Sequence, residues 1–375
     1  ITLNKIVKEG DPGNEFYQAV AAGNAPDLVN CSFTMMDTYM KSGILEPLNA
    51  YTDNWDEWGN FTKEYVDMFT LDGNVYGVPY TVAPMLFGYN KALFEEAGIE
   101  KLPETWDEAL EAAKKINDPD NQIAGYATLA AEWTEWFFQY YVWQAGGDLT
   151  KQNEDGTAEL TFTDPAVMEA AKYYQQLRKD DVLQSDLTLK FTDLVTNFGL
   201  GKIGMMPFAA DWVKDAVSQG MDPDDLGLML PPAGPSGERT TAIAGTTYVI
   251  NAKADQAKKD AAWEYIAHKA GAEYQKAYYE NLATKGAPNP MIIPRDDMTI
   301  TDFYEFPEEY SDVLEQAKTI GRLEFYGKAD FGTYVDRAVQ KILVDPNADP
   351  EKEFADAQKQ CEDEVLESFN ETAKK

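Results

Sequence analysis

Histidine and cysteine are scarce in this chain of 375 residues, which contains one histidine and two cysteines. Cys31 and Cys361 are far apart in the sequence, and neither has a histidine or a second cysteine nearby. Neither a zinc site nor a disulfide framework is therefore indicated. His268 falls within a helical pattern, where a partly exposed position is expected. A serine or cysteine nucleophile activated by histidine would depend on that single residue.

Long apolar runs and positive charge are also scarce. No stretch approaches the about 18 uninterrupted apolar residues that cross a bilayer, so no transmembrane helix is predicted. Acidic residues outnumber basic residues 65 to 32, which gives a formal net charge of −33. This charge repels nucleic acid phosphates and anionic lipids, so nucleic acids are not expected as partners.

The chain of 375 residues is longer than a single hydrophobic core usually supports, which favours two domains.

Strand and helix patterns alternate along most of the chain, which predicts parallel sheets covered by helices in two α/β lobes. Residues 1–7 have the alternating pattern of a strand, and Gly23 and Gly43 are expected to end helices. Asp72-Gly73 predicts a tight turn, and Thr105 is expected to cap the helix that follows it. No flexible linker is visible, so strands that cross between the lobes are expected to join them.

Two motifs that resemble cofactor or metal sites fail on inspection. In GLGKIG the strand follows the glycines instead of preceding them, and no Gly-Lys-Ser/Thr occurs, so no phosphate-binding loop is predicted. The segment DPNADPEKEFAD spaces its acids like a calcium loop but lacks the glycine at its sixth position and the glutamate at its twelfth. A helix-capping turn is the better interpretation. No cofactor and no metal are predicted.

Aromatic residues are abundant, at 13% of the chain with 8 tryptophans and 21 tyrosines. Several stand where a strand ends or a helix begins, which is where open α/β lobes present binding groups. These positions are Phe33, Trp133, Trp136, Trp212 and Tyr248. Glu132 and Asp211 directly precede two of them, and a carboxylate beside a flat ring can bind the hydroxyls of a sugar that stacks on the ring. Core packing is the alternative for each tryptophan, and Trp106 and Trp263 are assigned to the core.

Three segments carry a resemblance to a known family. DGNVYGVPYT, GYNKALFEEAGIEKLPETWDEALEAAKKI and GKIGMM together resemble the extracellular solute-binding proteins of carbohydrate ABC transporters. In that family the Tyr-Gly-Val-Pro-Tyr strand leads into the first crossing between lobes, and the Tyr-Asn-Lys strand begins the second lobe. Similar segments, such as AGTTYVINAKADQAKKDAAWEYI and FGTYVDRAVQKIL, extend the resemblance over nearly the whole chain.

The resemblance implies a type II periplasmic-binding-protein fold, with two α/β lobes joined by a hinge and a ligand cleft between them. The expected N-terminal lobe comprises residues 1–82 plus 250–288, and the C-terminal lobe comprises 83–249 plus 289–375. The crossings are expected near 81–85, 244–249 and 286–291. The family's usual first strand and first helix are expected to come before the position matched by Ile1.

Maltodextrin-binding members of the family imply the site residues. The positions that match sugar contacts in those members are Ser32, Phe33, Glu132, Trp133 and Trp212. Trp136 and Asp211 are added from the aromatic pattern, Tyr248 from its place in the hinge, and Phe331 because the family often presents a stacking aromatic nearby. Phe33 and Thr34 replace a tryptophan and an aspartate of some maltodextrin binders, which argues against maltose itself.

By the same resemblance, the chain is expected to be the substrate-capture subunit of an ABC importer, without catalytic activity. Its expected partners are a neutral mono- or oligosaccharide, with an oligosaccharide favoured, and the permease subunits; the chain is expected to be a monomer. The expected location is extracellular, either lipid-anchored on a Gram-positive cell or periplasmic. Two alternatives stay open: a glycoside hydrolase that uses two cleft carboxylates, and a polyamine- or peptide-binding relative.

Overall fold

The computed structural model describes residues 13–284 and 290–373. The chain folds into two compact units, each assembled from two stretches of sequence. The first unit comprises the described residues up to Ala83 together with Ile243–Pro307. The second comprises Pro84–Ala242 together with the described residues from Glu308 onwards.

Both units contain strands and helices. The strands are β1 (Leu28–Ser32), β2 (Thr70–Leu71), β3 (Asn74–Val75), β4 (Val78–Asn90), β5 (Ala124–Tyr126), β6 (Thr150–Gln152), β7 (Ala158–Leu160), β8 (Ile203–Ala209), β9 (Leu226–Met229), β10 (Thr241–Ile250) and β11 (Gly321–Arg322). The helices are α1 (Gly13–Ala22), α2 (Met36–Lys41), α3 (Asn49–Thr52), α4 (Lys63–Asp67), α5 (Lys91–Glu96), α6 (Trp106–Ile116), α7 (Thr134–Gln144), α8 (Pro165–Lys179), α9 (Phe191–Gly199), α10 (Val213–Ser218), α11 (Gln256–Ala270), α12 (Ala272–Thr284), α13 (Glu308–Ala317), α14 (Lys328–Val344), α15 (Pro350–Cys361) and α16 (Glu367–Ala373).

Local sequence signals set several of these boundaries as expected. Gly23 and Gly43 follow α1 and α2 with φ of +74° and +69°, a conformation that ends a helix and that glycine adopts without strain. The Asp72-Gly73 turn has positive φ at both residues and joins β2 to β3 as a two-residue hairpin. Thr105 Oγ1 accepts the backbone N–H of Glu108 at 3.3 Å and caps α6. The strand predicted for residues 1–7 lies outside the described residues.

The first unit is organised around the end of β10. Its residues pair antiparallel with β1, so that Leu28 lies opposite Ile250 and Ser32 opposite Thr246. A hydrophobic core lies beside this pair. Its members are Leu48, Phe61, Val78, Tyr248, Ile250, Ala262, Ile266 and Ala270. The three members from α11 are spaced four residues apart and therefore lie on one face of that helix. Trp263 packs partly buried against this core and stacks on Tyr51.

The second unit contains a mixed sheet. β4 pairs antiparallel with β8 and with β9, and β8 pairs parallel with β5. The prediction of parallel sheets is therefore wrong for most of these pairs. Alternating strands and helices give parallel pairing when each strand follows a crossover helix of the same unit. β4 is a continuous strand of 13 residues that begins in the first unit, so that pattern does not set its direction.

Helices α7, α8 and α14 pack on one another in the second unit, and α15 packs on α14. Ten of the eleven residues of α7 are buried, including four consecutive aromatic or aliphatic residues, Tyr140, Tyr141, Val142 and Trp143. A helix that is buried on all sides fixes its own position closely, because every face is constrained by neighbours. Trp106 is a core residue as expected: it is 7% exposed and its indole N–H donates to Gln144 Oε1 at 2.8 Å.

The boundaries of the compact units differ from the predicted lobes at two places. The second boundary lies at 242/243 instead of 249/250, because Thr246–Ile250 pair with β1. The third lies at 307/308 instead of 288/289. Residues before 307 attach to the first unit, where Ile292 N–H donates to Val82 O and Arg295 forms ion pairs with Glu57 and Asp297. The crossing predicted near 286–291 falls largely on residues 285–289, which lie outside the described residues.

Two further features concern membranes and metals. Across residues 13–284 and 290–373, no helix combines the length and apolar character that crossing a bilayer requires. Within the same ranges, no three histidine, cysteine or acidic side chains are placed to hold a metal ion. The segment that resembles a calcium loop is a helix cap, since Asp349 Oδ1 accepts the N–H of Glu351 at the start of α15.

Candidate functional site

Three aromatic rings from separate parts of the second unit meet at one place. Trp133 directly precedes α7, Phe191 is the first residue of α9, and Trp212 ends the 3-10 turn after β8. The centroid of the Phe191 ring lies 5.6 Å from that of Trp133 and 4.4 Å from that of Trp212. These spacings are those of favourable aromatic pairs. We refer to these three residues as the Phe191 cluster.

Trp133 has an unusual backbone conformation and an exposed side chain. Its φ of 51° and ψ of 28° place it in the left-handed region, which costs a non-glycine residue about 1–2 kcal/mol. Its side chain remains 48% exposed, although indole is one of the largest apolar groups available. Strain of this kind concentrates at functional sites, where surrounding structure holds it in place. The backbone thus holds an indole at the surface at a cost that packing alone does not explain.

Glu132 connects two elements of the site. Its Oε1 accepts the backbone N–H of Phe191 at 2.7 Å, at the N-terminal end of α9. A carboxylate in this position satisfies one of the free N–H groups of the helix and interacts favourably with its dipole. Glu132 therefore fixes Phe191 relative to Trp133. Each carboxylate oxygen has two lone pairs, so Glu132 keeps acceptor capacity for a ligand hydroxyl.

Asp211 lies in the same turn as Trp212. Burial raises the pKa of Asp211 to about 6, and the nearby Asp215 acts in the same direction, while its own backbone N–H and Lys214 oppose the shift. Its Oδ1 atom is buried and has no hydrogen-bond partner in the part of the chain that the structure describes. Leaving such an acceptor unpaired costs about 1–3 kcal/mol. A ligand hydroxyl that donates to Asp211 would remove that cost.

The two other predicted residues of the second unit make their ring contacts outside the Phe191 cluster. Trp136 is partly buried on α7, with its ring edge-on to Phe137 and Tyr140. Phe331 is fully buried on α14, and its ring packs against Phe369 at 4.7 Å. The prediction that Phe331 stacks on a ligand does not fit this packing, because protein atoms already cover the ring.

The predicted residues of the first unit have structural roles. Ser32 Oγ accepts the backbone N–H of Thr34 at 3.3 Å and so caps the 3-10 turn Phe33–Met35. Phe33 is 1% exposed and packs edge-on against Phe69. Tyr248 is 6% exposed and packs against Tyr80 in the core.

These contacts bear on the predicted roles of the first-unit residues. The buried rings of Phe33 and Tyr248 have no open face for stacking, so their predicted roles need correction: both are core residues in this structure. Ser32 is partly exposed, but its hydroxyl is already engaged in the cap.

The sequence interpretation missed Phe191, which is the centre of the aromatic group. Phe191 is partly buried between two predicted residues and is separated from each of them by more than 20 positions in the chain. One local signal was available: an aromatic residue at the first position of a helix, in the segment KFTDLVTNFG. That signal does not reveal the neighbours of Phe191, which only the fold brings together.

Residues 4–276 match the model of the bacterial extracellular solute-binding protein family. The chain belongs to this family. A Brucella abortus member named only as a binding protein is 32% identical over 253 residues, which are 66% of this chain and 59% of that protein. The erythritol/L-threitol-binding protein of Mycolicibacterium smegmatis is 28% identical over 258 residues, 66% of this chain and 50% of its own. The chain thus spans between 50% and 59% of the length of these curated relatives.

Solved structures of solute-binding proteins share the fold. The ABC substrate-binding protein of Listeria monocytogenes in complex with cycloalternan superimposes with a TM-score of 0.77 at 20% identity, covering 93% of this chain and 87% of that chain. This similarity confirms the predicted α/β fold of periplasmic-binding-protein type. Within that fold, the second unit contributes an exposed indole, two supporting aromatic rings and two carboxylates at one place.

Proposed function

We propose that this solute-binding protein is the substrate-capture subunit of an ABC importer. Its ligand is a neutral carbohydrate, with an oligosaccharide favoured, which it delivers to the permease without chemical change. The observation that supports this most directly is Trp133, whose strained backbone keeps a 48% exposed indole beside Phe191. Flat aromatic faces bind the apolar faces of sugar rings, and the rest of the site has groups that suit sugar hydroxyls.

The carboxylates favour a ligand rich in hydroxyl donors. Glu132 and Asp211 lie next to Trp133 and Trp212 in the sequence, so that each indole has an acceptor at its side. Hydrogen bonds to ionised acceptors are roughly twice as strong as bonds between neutral groups. The net charge of −33 disfavours anionic ligands. Sugars and polyols satisfy these requirements, and an oligosaccharide also matches the number of aromatic rings.

The carboxylates of Glu132 and Asp211 are explained more simply by ligand binding than by catalysis. Glu132 already accepts the N–H of Phe191, so one of its functions is to fix Phe191 beside Trp133. A hydrolase would need one carboxyl to protonate the leaving group and another to act as base or nucleophile. The relatives reported above are named as binding proteins, which supports the same interpretation. We therefore favour a binding role over the hydrolase alternative.

The first test is a thermal-shift screen of the protein against neutral mono- and oligosaccharides and polyols, with polyamines and short peptides as separate arms. A ligand at about 100 times its Kd adds about 2.7 kcal/mol to the free energy of unfolding. For a chain of this size that should raise the Tm by a few degrees. A shift with one group of neutral carbohydrates supports the proposal. A shift with amines or peptides only, and none with carbohydrates, would replace it.

Two variants locate the site, and product analysis tests for catalysis. Trp133→Ala should weaken carbohydrate binding by at least tenfold, measured by titration calorimetry. Leu200→Ala is the matched control, because Leu200 is a 60% exposed apolar residue at the far end of α9 and should leave the Kd unchanged. After long incubation the oligosaccharide should be recovered intact. Cleaved products that vanish in Glu132→Gln would favour the hydrolase.

A further inference from the structure

A largely buried group of four charged side chains lies behind the start of α7. Glu135 belongs to the first turn of α7, Glu324 precedes α14, and Lys328 and Asp336 lie on α14. Lys328 Nζ lies 3.3 Å from Glu135 Oε1 and 3.1 Å from Glu324 Oε1. Only 11% of the Glu135 side chain and 9% of the Glu324 side chain are exposed. We refer to these four residues as the Lys328 cluster.

The Lys328 cluster is connected to the backbone of the candidate site. Asp336 Oδ1 accepts the backbone N–H of Glu135 at 2.9 Å. Glu135 follows Trp133 by two residues, so this bond holds the turn from which the exposed indole projects. Gly332 makes the approach of α7 and α14 possible at this point. A Cβ atom there would lie 3.3 Å from Glu135 Cγ, which is closer than ordinary packing.

The charges of the Lys328 cluster do not balance. Lys328 supplies one positive charge to three carboxylates, and it contacts Glu135 and Glu324 directly. Burial opposes the charge of Lys328, but the two glutamates outweigh it and hold its pKa above the usual value. Asp336 lies beside the carboxylate of Glu135 in a largely buried place, where two adjacent negative charges are unfavourable. Burial and the neighbouring Glu135 raise the pKa of Asp336 to about 7.

A proton between the two carboxyls completes the hydrogen bonding. Glu135 Oε2 is buried and has no hydrogen-bond partner among the described residues. A protonated Asp336 can donate to the carboxyl of Glu135 while its Oδ1 continues to accept the N–H of the same residue. Once Asp336 ionises, that donor is lost and two negative charges face each other across α7 and α14. The raised pKa of Asp336 therefore favours a proton on that carboxyl, facing Glu135.

The other titratable groups considered on the helices around Asp336 do not provide a positive charge that would balance the third carboxylate of the Lys328 cluster. Burial raises the pKa of Tyr140 on α7, of Tyr174 on α8 and of Cys361 on α15, so that all three are uncharged at neutral pH. Asp330, in the first turn of α14, also has its pKa raised by burial. Arg337 follows Asp336 in the sequence, and its guanidinium lies over the ring of Tyr334 on the same helix.

We propose that Asp336 is a positioning residue for the carbohydrate site: its protonated carboxyl donates to Glu135 and accepts the backbone N–H of Glu135, which holds the first turn of α7, so that loss of the proton weakens ligand binding at Trp133. This inference rests on the proposed function, since it assumes that Trp133 contacts the ligand. Ligand affinity should be highest below about pH 7 and should fall as Asp336 ionises. Binding near neutral pH should then be accompanied by proton uptake.

The main experiment is titration calorimetry with the best carbohydrate of the screen, from about pH 5.5 to about 8.5. The Kd of the unmodified protein should rise by about tenfold for each unit by which the ligand shifts the pKa of Asp336. Asp336→Asn should lose this dependence, because its amide donates to Glu135 and accepts the N–H without a titrating proton. Asp336→Ala, which lacks both bonds, should bind weakly at every pH. Asp345→Asn is the matched control.

Asp345→Asn controls for the loss of one negative charge, and Glu135→Gln serves as a second variant. Asp345 is exposed at the C-terminal end of α14, so Asp345→Asn removes the same charge from the same helix and should keep the pH profile of the unmodified protein. If Asp336→Asn does not fold, Glu135→Gln replaces it, since an amide there can donate to an ionised Asp336. A pH profile that persists unchanged in the folded variant overturns the inference. Burial raises the pKa of Asp211 to about 6, and Asp211 is intact in Asp336→Asn, so any pH dependence that Asp211 causes persists in that variant.

A measurement without ligand separates failure of this inference from failure of the proposed function. The difference in tryptophan emission between the unmodified protein and Trp133→Phe isolates the signal of Trp133. That signal should change with a midpoint near pH 7, and the change should be absent in Asp336→Asn. If the change is present but no carbohydrate binds, the positioning role stands and the proposed function fails. If carbohydrate binds but the emission change and the pH dependence survive in Asp336→Asn, the inference fails alone.

Discussion

Replacing Phe191 by leucine tests whether the Phe191 cluster is one binding element. Leucine keeps most of the apolar volume, so little cavity forms, and the backbone N–H of residue 191 can still donate to Glu132. What is lost is the ring that contacts Trp133 at 5.6 Å and Trp212 at 4.4 Å. The change therefore removes the ring that orients the exposed indole of Trp133, while the surrounding fold is preserved.

The size of the effect follows from the two ring contacts. An aromatic pair contributes about 0.5–1.5 kcal/mol beyond the area that it buries, so two pairs amount to about 1–3 kcal/mol. Chemical denaturation should show a loss of free energy of unfolding in this range. If the same contacts hold Trp133 in its binding orientation, titration calorimetry should show a Kd that rises by about five- to 150-fold.

Phe369→Leu is a closely matched control. Phe369 is also partly buried in the second unit and also makes two ring contacts, with Phe331 at 4.7 Å and with Tyr326 at 5.5 Å. This variant should lose a similar free energy of unfolding but keep its carbohydrate affinity. A Phe191→Leu protein that is destabilised yet binds with an unchanged Kd would refute the reasoning, because Phe191 would then be a packing residue like Phe369.

Three further outcomes are expected. Trp133→Gly should abolish carbohydrate binding but be more stable than Trp133→Ala by about 1 kcal/mol in chemical denaturation, because glycine adopts the left-handed conformation of this position without strain. Asp211→Asn should flatten the pH dependence of stability between about pH 4 and 6: a raised folded-state pKa stabilises the fold at low pH, and this contribution is lost as pH rises through about 6. Arg295→Ala should lower the free energy of unfolding by about 3 kcal/mol, because the buried guanidinium pairs with Glu57 and Asp297 and donates to the backbone of Ala270; an unchanged denaturation midpoint would contradict this.

The sequence predicted the features that depend on near neighbours. Gly23 and Gly43 end helices, and Thr105 begins one, because each acts on backbone groups within a few residues. The same holds for the pairs Glu132-Trp133 and Asp211-Trp212, which were selected because a carboxylate precedes an indole at the end of an element. These pairs do come together in the second unit, although their role in binding remains a proposal.

Features that depend on distant neighbours were not predicted from the sequence. Phe33, Tyr248 and Phe331 have the same local appearance as Trp133, since each is an aromatic residue near the end of an element. Whether such a ring is open or covered is decided by partners such as Phe69, Tyr80 and Phe369, which are far away in the chain. Antiparallel pairing of β4 escaped prediction for the same reason.

Several departures from favourable local structure lie around the start of α7. Trp133 has a strained backbone. Three buried oxygen atoms have no hydrogen-bond partner among the described residues: Thr134 Oγ1, Glu135 Oε2 and Asp211 Oδ1. Each departure lowers stability, and none is needed to form the helix. A ligand that donates to Asp211 and covers the indole, together with a proton on Asp336, would relieve several of these costs at once. On the proposed function, we therefore expect ligand binding to stabilise the start of α7.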